Sequence, residues 1–224
     1  MNTSVRYGLA LIIGTVAQVA TMALHPTGAG AVASPQALAQ EMQVLVAVHA
    51  LALLSVPVVV FGFVGVTRRL GYERSEALFA LIVYVFSAVA IMFAAIADGL
   101  VNAVLIPQTV GAGEPALQTL KAALAYNFQF NQACAKVYVV GSSLAIFFWS
   151  IALIKVGIFE RVVGMFGWFV ALAALVGLLS GHVRMSAHGF GLIILLQAVW
   201  NIALGVSMFR ADRSGAHAQV VAHV

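Results

Sequence analysis

The chain has 224 residues, of which 63% are hydrophobic and only 8% are charged. In soluble domains roughly a quarter of the residues are charged, so this composition excludes a soluble globular protein and indicates an integral membrane protein. The net charge of +4 does not indicate nucleic-acid binding, because the basic residues lie at the ends of apolar runs and form no basic stripe. The single cysteine, Cys134, excludes an intramolecular disulfide framework and a zinc site built mainly of thiolates.

Six apolar segments are long enough to cross a hydrocarbon core of about 30 Å, for which a helix needs about 20 residues. The segments lie near residues 6–25, 40–67, 77–106, 130–154, 162–181 and 187–209. We therefore predict an all-α, polytopic membrane protein, with one six-helix transmembrane bundle over residues 1–211 and a short polar cytoplasmic tail over 212–224. The stretch 116–126 is too polar to span, and it predicts an amphipathic interfacial helix between the third and fourth crossings.

The first segment also has features of a secretory signal peptide. Arg6 precedes the apolar run, and Ala-Val-Ala-Ser at 31–34 or Ala-Leu-Ala-Gln at 37–40 resembles a cleavage site. The apolar run is long for a signal peptide, so we expect a retained membrane helix. Removal of residues 1–39 is the alternative.

The basic residues predict the orientation of the chain. Three of them, Lys121, Lys136 and Arg184, fall on or near one side of the membrane, and eight fall on the side that holds both termini. These eight are Arg6, Arg68, Arg69, Arg74, Lys155, Arg161, Arg210 and Arg213. Because basic residues concentrate in cytoplasmic loops, we predict that both termini are cytoplasmic and that the protein lies in the cell inner (plasma) membrane.

Each predicted crossing carries an ionisable residue at a similar depth. Counted from the cytoplasmic end of its segment, this residue lies 19 to 22 positions along the helix, which is roughly 28–33 Å at 1.5 Å per residue. The residues are His25, His49, Asp98, Lys136, His182 and His188. Polar groups in hydrocarbon cost several kcal/mol unless they find partners, so we expect these side chains to turn inward and converge.

The four histidines of this layer, His25, His49, His182 and His188, are the candidate metal ligands. We predict His49 and His188 as the core of the site, because both lie within regular helix, where side-chain direction is fixed. Three histidines with Asp98 would complete a tetrahedral zinc or copper site, and two histidines from facing helices would instead hold haem b. The alternative is that all four are ordinary interface residues, hydrogen-bonded to carbonyls or water.

Asp98 and Lys136 are the candidate catalytic residues, as a proton-relay carboxylate whose pKa a lysine tunes. A purely structural ion pair is the alternative. Asn102 and Gln132 lie four residues from Asp98 and Lys136 on the same helix faces, and with Arg184 they are the candidate cofactor-binding residues. An adjacent polar face of the fourth crossing contains Asn127, Asn131, Tyr138 and Ser142.

Two further patterns concern packing. The aromatic run 147–149, with Trp168 and Trp200, predicts lipid-facing surface and interfacial belts. Glycines within the apolar segments, such as Gly8, Gly14 and Gly205, predict close approach of neighbouring helices.

Together these patterns favour a membrane protein with a histidine-rich metal or haem site in the outer half of the bundle, serving a redox-linked, oxidoreductase-type role. A zinc-dependent membrane hydrolase acting on a lipid and a non-enzymatic transporter or accessory subunit are the alternatives. The expected partners are the lipid bilayer and a lipophilic small molecule, with no nucleic acid.

Overall fold

The computed structural model of the chain describes residues 3–26, 34–183 and 185–221, and all regular structure in these ranges is helical. Arg184, one of the predicted cofactor-binding residues, lies outside the described residues. The helices are α1 (Thr3–Leu24), α2 (Pro35–Leu70), α3 (Ser75–Ala95), α4 (Asn102–Gln108), α5 (Glu114–Leu153), α6 (Ile158–Leu179) and α7 (Ala187–Val221), and a π-helical turn, Ile96–Val101, joins α3 to α4.

Six helical spans in the described ranges are long and apolar enough to cross a membrane. They are Thr3–Leu24, Pro35–Leu70, Ser75–Gln108, Glu114–Leu153, Ile158–Leu179 and His188–Arg210. The third span therefore combines α3, the π-helical turn and α4. The predicted all-α fold with six membrane-spanning helices is confirmed.

Two helices extend beyond the predicted spans. The stretch predicted to be a separate interfacial helix is helical, but it forms the first turns of α5, which runs unbroken for 40 residues. Between Pro115 and Gly141 the sequence contains no proline or glycine, so nothing ends the helix before the fourth crossing. The backbone of α7 likewise continues to Val221, into the stretch predicted as a polar tail.

The six spans form a closed ring, in which each packs against the next along the chain and α7 returns to α1. Glycines allow the closest approaches, as predicted. A Cβ atom at Gly8 would lie 2.8 Å from the carbonyl oxygen of Gly205, and one at Gly14 would lie 3.0 Å from the backbone nitrogen of Val59. α1 is therefore one wall of the ring, held between α2 and α7.

One half of the ring is filled by an aromatic core, made of Phe63, Tyr84, Trp149 and Trp200. Phe63 stacks on Trp149, with ring centroids 4.3 Å apart and planes at 9°. Trp149 and Trp200 are fully buried, and each indole N–H donates to an oxygen inside the bundle at 3.0 Å. The expectation that these two tryptophans face lipid is wrong, because both the ring and its N–H are satisfied within the bundle.

The ring has two chemically different ends. At one end Arg69 contacts Glu160 at 2.5 Å, Lys155 contacts Glu76 at 3.1 Å, and the guanidinium of Arg210 lies over a phenylalanine ring. We call this the basic end. The opposite end, where α1 stops and the π-helical turn lies, is the histidine end.

Candidate metal centre

Three residues of the predicted polar layer meet at the histidine end. Nε2 of His25 lies 3.1 Å, and Nε2 of His49 lies 3.3 Å, from the same carboxylate oxygen, Oδ2 of Asp98. The three atoms lie within 4.8 Å of one another. Two ligands bound at about 2.0–2.1 Å from one ion would lie about 3.0 Å apart at a right angle and about 3.4 Å apart at the tetrahedral angle. The two separations from Asp98 Oδ2 therefore fit ligands of a single ion, and we call these residues the triad.

Backbone carbonyls determine which nitrogen of each ring carries a proton. Nδ1 of His49 lies 2.8 Å from the carbonyl oxygen of Leu45, and Nδ1 of His25 lies 3.0 Å from that of Pro26. A carbonyl oxygen only accepts hydrogen bonds, so each Nδ1 is the donor and each neutral ring presents a lone pair at Nε2. Both lone pairs then face a carboxylate oxygen, and three acceptors converge with no donor between them. This arrangement requires a cation, either a proton or a metal ion.

The charge around Asp98 points to the same requirement. Its ion-pair partners among the described residues are the two histidines, with no lysine or arginine within salt-bridge distance. The hydrogen bond with Asp98 raises the pKa of His25 above its ordinary value, although partial burial of the ring opposes the rise. A proton on His25 is therefore one way, besides a metal ion, to supply the compensating positive charge.

The π-helical turn positions Asp98. A π turn interrupts the regular ladder of α-helical hydrogen bonds and is frequent at functional sites. Two amides of α5 support the altered backbone, since Asn127 Nδ2 donates to the Ala97 carbonyl at 2.7 Å and Asn131 Nδ2 donates to the Ala94 carbonyl at 3.2 Å. These contacts hold the turn where Asp98 faces α1 and α2.

The second oxygen of the Asp98 carboxylate is held by a chain of amides. Asn102 Nδ2 donates to Asp98 Oδ1 at 3.0 Å, and Asn127 Nδ2 donates to Asn102 Oδ1 at 2.7 Å. Outer hydrogen bonds of this kind orient metal ligands. Asn102, which the sequence predicts to bind a cofactor, therefore binds Oδ1 of Asp98. The other oxygen, Oδ2, contacts the two histidines.

Gly99 makes room for the ring of His49, which is only 4% exposed. A Cβ atom at position 99 would lie 2.2 Å from both Cβ and Cγ of His49. Real atoms do not approach so closely, so any larger residue would force the π-helical turn and α2 apart. The approach of α2 to the turn, and with it the triad, depends on glycine at this position.

The triad lies at one end of a cavity of about 550 Å³ inside the ring. All three triad residues line this cavity, so an ion held between them would be reached from it. Gln132, a predicted cofactor-binding residue, also lines the cavity. The walls are mainly apolar and include Met22, Leu53, Met92, Ala135, Phe190 and Ile194.

The structure does not bring His182 and His188 to the triad. Both are exposed, and Nδ1 of His182 lies 2.8 Å from the hydroxyl of Ser180. The cavity-facing side of α7 begins at Phe190 and continues at Ile194. Since residues two apart do not share a helix face, His188 points away from the cavity. The structure thus brings His25, and not His188, beside His49.

Lys136 is exposed on α5 and does not pair with Asp98. The buried face of α5 instead contains Asn127, Ala135 and Tyr138. One residue along a helix is a rotation of about 100°, so Lys136 turns away from the face that Ala135 presents. The predicted pair of Asp98 with Lys136 is therefore not formed, because Lys136 is on the wrong side of its helix.

The contact between the two rings suits a single ion better than a haem. The rings of His25 and His49 meet edge to face, with centroids 5.0 Å apart and planes at 71°. Axial haem ligands bind the iron from opposite faces of the porphyrin. Rings that touch each other and share one carboxylate oxygen leave no gap for a macrocycle.

Sequence reasoning missed the importance of three residues on α5. The sequence indicates only a polar face adjacent to Lys136 for Asn127, Asn131 and Tyr138, yet this face meets the π-helical turn and the cavity. The spacing of the two asparagines by four residues in an apolar helix was the available signal. The π-helical turn itself has no sequence pattern that we recognise.

A comparison with protein families, with curated proteins and with solved structures finds no match to this chain.

Proposed function

We propose that this membrane protein binds one divalent transition-metal ion through His25, His49 and Asp98. The observation that carries the proposal is the convergence of three lone pairs, with both Nδ1 atoms engaged by carbonyl oxygens. A metal ion satisfies all three acceptors at once, whereas a single proton is shared between two of them. The remaining coordination positions would face the cavity.

We propose a redox-linked role for this ion, in chemistry on a lipophilic molecule within the cavity. Two histidines and one carboxylate with open positions are the ligand set of non-haem iron(II) oxygenases, so iron is the first expectation. When bound, such an ion would supply electron transfer or polarise an oxygen of the bound molecule. The apolar walls support a lipophilic partner taken from the bilayer.

A zinc-dependent hydrolase acting on a lipid is the second candidate, because the two histidine–carboxylate separations also fit ligands of a tetrahedral zinc ion. Zinc hydrolases use a further group as general base. Asp98 is the only acidic residue among the described residues that line the cavity, so the hydrolase is less well supported. A non-enzymatic transporter or accessory subunit would use the cavity without turnover.

The metal content of purified protein tests the proposal. Wild-type protein, purified in mild detergent without chelators, should contain about one metal ion per chain, identified by mass spectrometry. His49→Ala and Asp98→Asn should lose it, while His188→Ala, which removes an exposed histidine at the same end, should retain it. Thermal melting should show that all variants fold. Wild type without metal, or triad variants with wild-type occupancy, would refute the metal site.

We also propose that both termini are cytoplasmic in the inner membrane. The support is the concentration of arginine and lysine at the basic end, which is the positive-inside pattern. Reporter fusions after Val224 and within residues 109–120 should report opposite sides of the membrane. A periplasmic report from the C-terminal fusion would contradict the orientation.

A further inference from the structure

The end of the cavity opposite the triad is also polar. Gln18 and Tyr138 line it there, and we call these two residues the polar floor. The hydroxyl of Tyr138 donates to Gln197 Oε1 at 3.4 Å, which is a long and therefore weak hydrogen bond. The hydroxyls of Tyr138 and Tyr84 also interact, and the Tyr138 oxygen has a second lone pair that can accept a hydrogen bond from a bound molecule. The floor thus offers a buried phenol and an amide to a molecule in the cavity.

The polar floor and the triad lie about two helical turns apart. Gln18 precedes His25 by seven residues on α1, and Tyr138 follows Asn131, beside the π-helical turn, by seven residues on α5. Seven residues correspond to about 10 Å along a helix. The aromatic core lies beyond the floor, towards the basic end.

The walls between these two polar ends are mainly apolar. Thr21 also lines the cavity along this length, but its hydroxyl donates to the Ala17 carbonyl of its own helix at 3.0 Å. Leu53, Met92, Ala135 and Ile194 line the cavity along this length. A polar group placed against them would lose its hydrogen bonds to water without replacement. The cavity therefore favours a molecule whose polar groups lie at its two ends.

We propose that the cavity binds an elongated lipophilic molecule with an oxygen at each end of an apolar body about 10 Å long. One oxygen lies at the triad, and the other exchanges a hydrogen bond with Tyr138 at the polar floor. This inference rests on the proposed metal site and specifies the class of molecule that the site takes. Tyr138 is the residue that selects for the distal oxygen.

Two series of synthetic probes test this proposal. Alkyl hydroxamates, from butyl to dodecyl, bear a metal-chelating head and an apolar tail, and ω-hydroxyalkyl hydroxamates of the same lengths add a distal hydroxyl. Binding is followed through the visible spectrum of the cobalt(II)-loaded protein in detergent. Affinities are measured for wild type, Tyr138→Phe and, as a matched control, Tyr126→Phe, which removes an exposed hydroxyl from the same helix. Because each probe partitions equally into micelles with every protein, the ratio of affinities between proteins isolates the contact.

For each protein, the preference is the affinity for the ω-hydroxy probe divided by the affinity for the alkyl probe of the same length. At the tail length that reaches the floor, this preference should be roughly two- to tenfold larger in wild type than in Tyr138→Phe, which corresponds to one hydrogen bond. Shorter tails should show no such difference, and Tyr126→Phe should behave as wild type. Gln18→Leu, which removes the other floor residue, should also weaken the preference if Tyr138→Phe folds poorly.

The outcomes separate this inference from the metal site. If cobalt(II) does not bind, or binds unchanged after His49→Ala, the proposed metal site fails and this inference fails with it. If cobalt(II) binds at the triad and the hydroxamates shift its spectrum, but Tyr138→Phe keeps the preference of wild type at every length, the metal site stands. The molecule with two polar ends is then refuted.

Discussion

The two ends of the bundle use charge in different ways. At the basic end, Glu160 and Glu76 are each paired with a permanently charged side chain, Arg69 and Lys155. At the histidine end, the ion-pair partners of Asp98 among the described residues are imidazoles, which are cations only when protonated. The charges at the basic end neutralise each other, whereas the carboxylate at the histidine end needs an exchangeable cation to neutralise it.

The packing of the interior also differs between the two ends. Towards the basic end, the aromatic core packs the ring with fully buried side chains and regular α-helix. Towards the histidine end, the helix bearing Asp98 contains a π turn, and the cavity lies beside a smaller hydrophobic cluster. We infer that the basic half mainly stabilises the fold, and that the histidine half contributes less to stability and forms the binding site.

The largest expected effect is on stability, at the basic end. Arg69→Met leaves Glu160, whose side chain is only 12% exposed, without its partner. Removing one partner of a buried ion pair typically costs about 3–5 kcal/mol, and we expect a loss near the lower end because both side chains keep some exposure. Lys155→Met is the matched control, since Lys155 is 57% exposed and its pair should contribute less than about 1 kcal/mol. Equal losses in thermal or denaturant unfolding would contradict the assignment of Arg69 to the stabilising half.

The next effect concerns the glycine beside the triad. Gly99→Ala places a Cβ atom against the ring of His49, so α2 and the π-helical turn must separate. Overpacking of this kind typically costs about 1–3 kcal/mol, and we expect metal binding to be lost with it. Gly113→Ala is the control, because a Cβ atom there meets no neighbour within 4 Å. Unchanged metal content in Gly99→Ala would show that His49 does not depend on this close approach.

A smaller effect is expected at the amides behind Asp98. Asn127→Ala removes the donor to both Asn102 and the Ala97 carbonyl, so the carboxylate loses its fixed orientation. Substitutions of such outer partners lower metal affinity by about 10- to 100-fold. Cobalt(II) titration measures the change, and Gln129→Ala, at an exposed position of the same helix, should leave the affinity unaltered. An affinity equal to that of wild type would mean that the amides support the backbone only.

The sequence predicts the fold far better than the site, and particular residues show why. Apolar runs of sufficient length are enough to place six spans, because the bilayer imposes the same length on every crossing. Counting residues also places His25, His49 and Asp98 at one depth correctly. Depth follows from the helical rise alone, which is nearly constant.

Direction around the helix axis is much harder to predict than depth. His188 and Lys136 lie near the predicted depth but point away from the triad, each one or two residues out of phase with the inward face. The π-helical turn adds a local change of phase within the third span that periodicity does not reveal. The position of a polar residue in an apolar helix predicts its depth in the membrane. The residues three and four positions away indicate whether its helix face points into the bundle.

The smallest expected effect is the absence of coupling between Asp98 and Lys136. Equal depth alone predicts an ion pair, for which a double-mutant cycle of Asp98→Asn and Lys136→Met would give about 1 kcal/mol or more of coupling. In the structure, Lys136 is exposed and the partners of Asp98 are the two histidines. Changes at two sites without shared partners usually add to within about 0.3–0.5 kcal/mol, so we expect the unfolding free energies of the single and double variants to be additive. The same cycle with Asp98→Asn and His25→Gln is the positive control and should be clearly non-additive. Coupling of Lys136 as strong as that of His25 would place this lysine at the histidine end of the cavity, and would remove the contrast between permanently paired and exchangeable charge.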